Sequence, residues 1–272
     1  MLPIDPEYFG DSEHLEVQAR VNEAWPTLGG NSLLNNAGRF VGLDDPGQFG
    51  LAATIDLIHR FSVVGVFFKD DRVHPGVEQE LAAHDIRLST YDVFRSGAGT
   101  PATVAGLIST RPIPTDWQWV RIYRDSPARD VGDFQQLAND CGVAPPPGYV
   151  LRGALYGTDC FLLRDAAGDA VATAGVVDRH PPNGPRANEA SSGLVATRPD
   201  QRKLGFGQLV YAKALSALFR RRPKAIAYTA VKLDNIASRK MCEGVGLQVA
   251  PGEKISIAIS NRTYPGEGSF TR

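Results

Sequence analysis

Residues Val195–Gln208 read VATRPDQRKLGFGQ, and they join an apolar strand to an amphipathic helix through a turn holding Arg202, Gly205 and Gly207. Glycines at such a turn do two things. They adopt backbone conformations that a Cβ penalises, and they let a bulky anion reach the amide N–H groups at the start of the helix. The stretch is therefore read as a phosphate cradle. Downstream, Phe206, Val210, Ala214 and Ala217 recur at helical spacing, so the cradle is anchored by a helix whose apolar stripe faces a sheet. From Arg198 to Lys224 eight basic residues meet a single acid, Asp200, a local excess that suits a polyphosphate ligand. Arg220, Arg221 and Arg222 read rather as a solvated helix end facing the C-terminal dipole. Two other phosphate motifs are excluded. G-x-x-x-x-G-K-[ST] is absent, and Val210 stands where G-x-G-x-x-G needs its third glycine.

Outward from the cradle, Trp117–Tyr123 alternates as a strand and Ala128–Asn139 has helical period. Val150–Leu155 and Cys160–Leu163 read as strands, and Asp165–Asp169, DAAGD, as a hairpin turn into a strand at Ala170–Val177. A strand at Ala190–Thr197 runs into the cradle. Beyond it come a helix (Phe206–Arg220), a strand (Ala225–Val231), a helix (Asn235–Gly244) and an alternating strand with Ile255, Ile257 and Ile259. In the N-terminal part Leu15–Trp25, Leu51–Phe61 and Gly76–His84 read as helices, with strands at Val63–Phe68 and Ile86–Phe94. Ser96–Thr115, SGAGTPATVAGLISTRPIPT, has neither sustained helical period nor alternation and reads as a linker. The expected organisation is an N-terminal α/β domain at 1–95, a linker at 96–115 and a larger mixed α/β domain at 116–272.

The 272 residues carry 29 Lys plus Arg against 30 Asp plus Glu, so nothing pulls the whole molecule toward nucleic acid or an anionic membrane. Hydrophobic residues at 43% and charged residues at 22% exclude wholesale disorder. Cys141, Cys160 and Cys242 are odd in number and widely spaced, which indicates neither a disulfide framework nor a zinc site and fits a reducing compartment. His59, His74 and His84 lack metal spacing, so no metal is expected. Met1–Ser12 shows no secretory pattern and no apolar run reaches the roughly 18 residues of a membrane helix, which makes the cytoplasm the expected location.

Val195, Thr197, Pro199, Arg202, Gly205 and Gly207 resemble the central motif of the GNAT superfamily of acyl-CoA-dependent N-acyltransferases, R/Q-x-x-G-x-G/A after a Val-rich strand. One strand later Asn235, Ser238, Cys242, Gly246 and Leu247 match the spacing of N-x-x-A/S-x-x-x-Y-x-x-x-G-F, with Cys for Tyr and Leu for Phe. The resemblance spans about Trp117–Ser260. It implies a mixed, mostly antiparallel sheet flanked by helices, and acetyl-CoA as co-substrate. It also implies that Arg202, Lys203, Leu204, Gly205, Phe206, Gly207 and Gln208 hold the coenzyme pyrophosphate. Main-chain groups of Val195, Ala196 and Thr197 would lie along the pantetheine arm, with one amide aimed at the thioester carbonyl. Asn235 and Ser238 would contact the coenzyme or hold a water, and Ser238 reads equally as a small helix residue permitting close packing. Residues 64–94 repeat a strand, helix, strand order without the glycine turn, which reads as a degenerate domain of the same kind shaping the acceptor side, or as an unrelated accessory domain.

Direct attack of an amine on a thioester calls for a base and benefits from an acid. Glu189, at the start of the strand leading into the cradle, is the first candidate base, followed by Asp178 and His180 at the end of the preceding strand. Cys242 stands at the family's acid position, either as donor or as buried filler, and Tyr228 is a substitute donor. The expected acceptor is a small amine rather than a protein, and the expected assembly a homodimer. Three readings stay open: an acetyl-CoA-dependent N-acetyltransferase, a non-catalytic acyl-CoA-binding or regulatory module, and a structural protein with a coincidental glycine turn.

Overall fold

A computed structural model describes residues 5–70 and 74–264. The N-terminal part runs α1 (Ser12–Leu28), β1 (Leu34–Asn36), β2 (Val41–Leu43), α2 (Pro46–Phe49), α3 (Leu51–Phe61), β3 (Val63–Phe68), α4 (His74–Ala83) and β4 (Ile86–Ser96). Helix α5 (Thr100–Thr110) follows, then β5 (Gln118–Ile122), α6 (Ala128–Asp140), α7 (Gly148–Leu151), β6 (Thr158–Arg164), β7 (Ala170–Val177) and β8 (Glu189–Thr197). After a 3₁₀ turn at Pro199–Gln201 come α8 (Phe206–Arg221), β9 (Ile226–Val231), α9 (Ile236–Gly244) and β10 (Leu247–Ser260). Among the described residues no helix is long and apolar enough to cross a membrane.

The strands form one sheet in the order β1-β2-β3-β10-β4-β9-β8-β7-β6-β5, with β2–β3 and β8–β9 parallel and every other pair antiparallel. The mixed, mostly antiparallel expectation therefore holds. The two ends of the chain share a connectivity: parallel strands joined by a helix, then a helix, then one more strand. In the N-terminal half this is β2, α3, β3, α4, β4; in the C-terminal half it is β8, α8, β9, α9, β10.

The last strand of each half crosses into the other. β10 pairs with β3 through Ile255↔Phe67 and Ile259↔Val63 and with β4 through Ile257↔Ser89, while β4 pairs with β9 through Phe94↔Thr229. Residues 1–95 and 116–272 thus do not close as separate sheets. The alternation Ile255, Ile257, Ile259 is what lets β10 serve as a central strand, since its final six residues are all buried. Small Ser256, Ala258 and Ser260 occupy the intervening positions, and the two serine hydroxyls hydrogen-bond to Thr90 Oγ1 and His59 Nδ1, each at 2.8 Å.

Two expectations are corrected. Part of the supposed linker 96–115 is α5, which lies against α8 and places Val104, Leu107 and Ile108 in the C-terminal core. Its proline sits in the first turn, where a missing N–H costs nothing, and the Thr100 hydroxyl donates to the Gly246 carbonyl at 2.7 Å. Val150–Leu155 is not a strand. Pro147 opens the short helix α7 there, and Tyr149 and Val150 are buried as helical side chains; a brief apolar run has no period of its own to tell the two apart.

In the C-terminal half the two sheet faces are covered by different helices. Phe161 and Leu163 of β6, with their cross-strand partners Ala174 and Ala172, pack under α8, whereas Cys160 packs with Val131 and Phe134 of α6. Truncation after Gly246, which removes β10, should abolish cooperative thermal unfolding. A truncated chain that still melts in one sharp transition would show that the sheet does not depend on the exchange.

Candidate active site

Strands β8 and β9 are in register only from Glu189↔Ile226 to Ser191↔Tyr228. Beyond that point they part, because β8 carries an extra residue relative to β7 between Gly193 and Ala196. Gly193 has φ +138°, a value reserved for glycine, and Leu194 has φ +53°. The Thr173 hydroxyl donates to the Leu194 carbonyl at 3.0 Å and holds the bulge. Backbone groups of the two diverging edges are left without a ladder partner across the gap. The gap is a cavity of about 230 Å³ lined by Ser191–Val195, Tyr228–Lys232, Asn235, Ser238 and Cys242. The N-terminal half closes it with Arg39, Phe40 and Tyr91, and β10 with Ile255 and Ile257.

The glycine turn stands at one end of this gap. Lys203 (φ +66°) and Gly205 (φ +87°) turn the chain, and no side chain caps α8. The amide of Leu209 is the first to reach back, bonding the Gly205 carbonyl at 3.0 Å, so those of Phe206, Gly207 and Gln208 are left for an anion. A Cβ on Gly207 would lie 2.6 Å from Thr197 Oγ1 and 3.6 Å from Val195 Cγ1, which shows how closely the turn abuts β8. Arg202 Nε donates to the Thr197 carbonyl at 3.2 Å, Leu204 is exposed, and Phe206 stacks on Trp117 with ring centroids 4.7 Å apart.

Arg111 was not foreseen. It ends α5, the helix hidden in the supposed linker, and its Nη1 donates to Gln208 Oε1 at 2.7 Å and would lie 2.9 Å from a Cβ on Gly205. Asn235 caps α9 by accepting from the Ser238 amide at 3.0 Å. Of the strand residues expected along the pantetheine arm, Val195 lines the cavity. The Ala196 side chain packs with Leu137 and Ala138, and the Thr197 carbonyl accepts from Arg202 and from the Cys141 thiol.

Glu189 is placed away from this cavity. Its Oε1 accepts from Arg95 at 3.1 Å and its Oε2 from Arg186 at 2.9 and 2.6 Å, so both oxygens are committed to structural guanidiniums. Asp178 is likewise bound by Arg221 and Arg222. Cys242 does line the cavity, and burial pushes its thiol up to about 12.

His180 and Tyr228, named only as secondary candidates, are brought together. His180 Nε2 and the Tyr228 hydroxyl are 2.8 Å apart, and His180 Nδ1 is 2.8 Å from Asp44 Oδ2. Asp44 Oδ1 accepts from Asn35 Nδ2 at 2.7 Å, and Arg179 Nη2 donates to the Tyr228 hydroxyl at 2.9 Å. Arg186 lies over the Tyr228 ring, 4.1 Å from its centroid. Burial lowers His180 to about 4 despite the carboxylate beside it, so the ring is neutral at pH 7. With Nδ1–H donated to Asp44, Nε2 is the acceptor for the Tyr228 hydroxyl.

Acid should destabilise the protein through His180. The unfolded imidazole takes a proton near 6.5 and the folded one only near 4, so stability is full above 6.5, falls as pH drops from 6.5 to 4, and loses nothing more from this group below that. In urea unfolding, His180→Asn should flatten this part of the profile, and an unchanged slope would show that the imidazole is not held neutral.

Residues 104–247, more than half of the chain, match the model of the acetyltransferase (GNAT) family. No curated protein matches by sequence. Among solved structures the chain is similar to a tandem GNAT protein from the clavulanic acid biosynthesis pathway, with TM-score 0.56 and 13% identity over 85% of this chain and 76% of that one. It is also similar to a GCN5-related N-acetyltransferase from Kribbella flavida, with TM-score 0.50 and 15% identity over 80% of each chain. A GCN5-related N-acetyltransferase-like protein from Streptococcus suis 89/1591 matches with TM-score 0.51 and 12% identity over 90% of this chain and 99% of that one. Identities this low speak for the fold alone. The family match covers the bulged strand, the glycine turn and α9, the parts that build the cavity, and on that ground the chain belongs to the acetyltransferase (GNAT) family.

Proposed function

We propose that the protein transfers an acetyl group from acetyl-CoA to a small amine that attacks directly. The observation that supports this most is the opening of β8 from β9 beside an α8 whose first amides, among the described residues, carry no partner. The residues fit the coenzyme. A Cβ at Gly205 would crowd Arg111 and one at Gly207 would crowd Thr197, so the turn needs both glycines; Arg111, Arg202 and Lys203 bring positive charge to it, and Val195, Asn235 and Ser238 border the gap leading on from it. Acetyl-CoA, when bound, supplies the acetyl group as an activated thioester.

The base is the relay Tyr228–His180–Asp44. An amine N–H placed against the phenolic oxygen gives up its proton there while the phenol's own proton passes to His180 Nε2. Asp44 then faces the imidazolium that forms. Arg186 on the ring face and Arg179 on the hydroxyl fix the phenol's orientation. Cys242 is filler rather than acid. A thiol pushed up to about 12 holds its proton more tightly than an ordinary thiol of about 8.5 would accept it. That same cysteine, standing at the family's tyrosine position, motivates a second reading, a non-catalytic acyl-CoA-binding module.

Calorimetric titration with acetyl-CoA, with desulfo-coenzyme A and adenosine nucleotides as comparisons, tests both readings. Micromolar binding that needs the pantetheine arm is expected, and Gly207→Val should weaken it strongly because its Cβ meets Thr197. Unchanged affinity in a folded variant would remove the cradle assignment. Thiol release across a panel of amines then separates enzyme from module, since tight binding without release with any amine favours the module.

Tyr228→Phe should lower kcat by about 10²-fold or more with the acetyl-CoA Kd unchanged. Cys242→Ala should keep kcat within about tenfold, and a loss of about a hundredfold would reinstate the thiol as acid.

A further inference from the structure

Among the described residues several part-buried guanidiniums are matched with carboxylates. Arg95 pairs with Glu189 and Glu253, Arg152 with Glu7, Arg164 with Asp130 and Asp133, and Arg239 with Asp92. Two in the cavity wall break the pattern. Arg39 and Arg179 both line the cavity, and among the described residues neither has a carboxylate within 4.0 Å. Arg39 Nη1 donates to the Ala144 carbonyl, and Arg179 donates to the Tyr228 hydroxyl from Nε at 3.3 Å and Nη2 at 2.9 Å. Asp44, which faces the same region, has one oxygen on Asn35 and the other on His180.

Both cations lie against one ring, Phe40, with guanidinium carbons 5.5 and 5.7 Å from its centroid. Burial and the charge of Arg179 lower Arg39 to about 10, so the pair is held together at a cost. Each guanidinium carries five donors in a planar fork that suits a carboxylate, and most of these donors are unused here. The other lining residues are mixed: Phe40, Val177, Leu194 and Ile255 are apolar, Ser191, Thr229, Asn235 and Ser238 are polar, and Lys232 is cationic.

We propose that Arg39 and Arg179 bind a carboxylate on the acceptor, which makes the acceptor an amino acid. This rests on the reading of the protein as an acetyl-CoA-dependent amine acetyltransferase and names the substrate class. The placement is consistent with that chemistry. Arg179 touches the Tyr228 hydroxyl, so a carboxylate on Arg179 sets an α-amine, one carbon away, beside the phenolic oxygen that takes its proton. It also gives the N-terminal half a role, because Arg39 and Phe40 reach the acceptor side only by virtue of the shared sheet.

The test is equilibrium binding to the full chain, which needs no turnover. N-acetyl-leucine and N-acetyl-phenylalanine are titrated beside their primary amides by calorimetry, and acetyl-CoA is titrated separately into the same samples. The acids are expected to bind about tenfold or more tighter than the amides. Arg39→Gln and Arg179→Gln should each erase that preference while leaving acetyl-CoA affinity within about twofold, the span of an unperturbed site. Should the glutamine variants lose their thermal midpoint, Arg39→Lys, which keeps the charge and loses the fork, is expected to reduce the preference. Amides binding as well as acids, folded variants that keep the preference, inorganic phosphate displacing the acids at equal concentration, or no binding of either series would each overturn the proposal. Failure of acetyl-CoA to bind would instead overturn the parent reading, and the two results are read in separate titrations.

Discussion

The structure depends on β10 being hydrogen-bonded on both edges, to β3 on one side and β4 on the other. The final six residues of that strand are also buried on both faces, so their side chains must suit two covered faces at once, and the alternation of isoleucine with serine and alanine does so. Everything near the cavity follows from this exchange. Phe67 of β3, Ile255 of β10, Val93 of β4 and Tyr228 of β9 form one apolar cluster across the join of the two halves. The same join carries Arg39 and Phe40 over the gap between β8 and β9. A larger separation between the halves would leave Tyr228 half-solvated and Arg39 outside.

Charge is arranged around that join with the same economy. Arg95 of β4 bonds Glu189 of β8 and Glu253 of β10, tying strands from three places in the chain. Arg186 completes the group by bonding Glu189 while its guanidinium carbon lies 3.5 Å from the Phe67 centroid and 4.1 Å from that of Tyr228. A carboxylate gripped by two guanidiniums in a part-buried site is a structural anion, because removing it would leave two cations uncompensated. On that ground the proposed base is Tyr228, whose ring this group clamps and whose hydroxyl faces His180, rather than Glu189.

Much of the local architecture was legible in the residues. The DAAGD turn joins β6 to β7, the amphipathic run from Phe206 forms α8, and Gly205 takes the left-handed conformation its turn needs. Such features are decided within a few residues, by φ preference and by side-chain period, so a short window contains their cause. The bulge has a local sign too, since Gly193 interrupts a strand pattern where only glycine takes the required φ. The helix α5 escaped because its apolar positions are diluted by Gly, Ser and Thr, and its packing against α8 supplies what propensity does not.

By itself, then, the sequence determined the glycine cradle, the strand and helix order of the C-terminal half, and through them the family. Tertiary structure alone decided which residues meet. Asp44 and His180 are 136 positions apart, and Arg95 and Glu253 158 apart. No local rule links residues so distant, since their contact depends on the crossing of β4 and β10, and that crossing is settled by which edges can bury both faces of a strand.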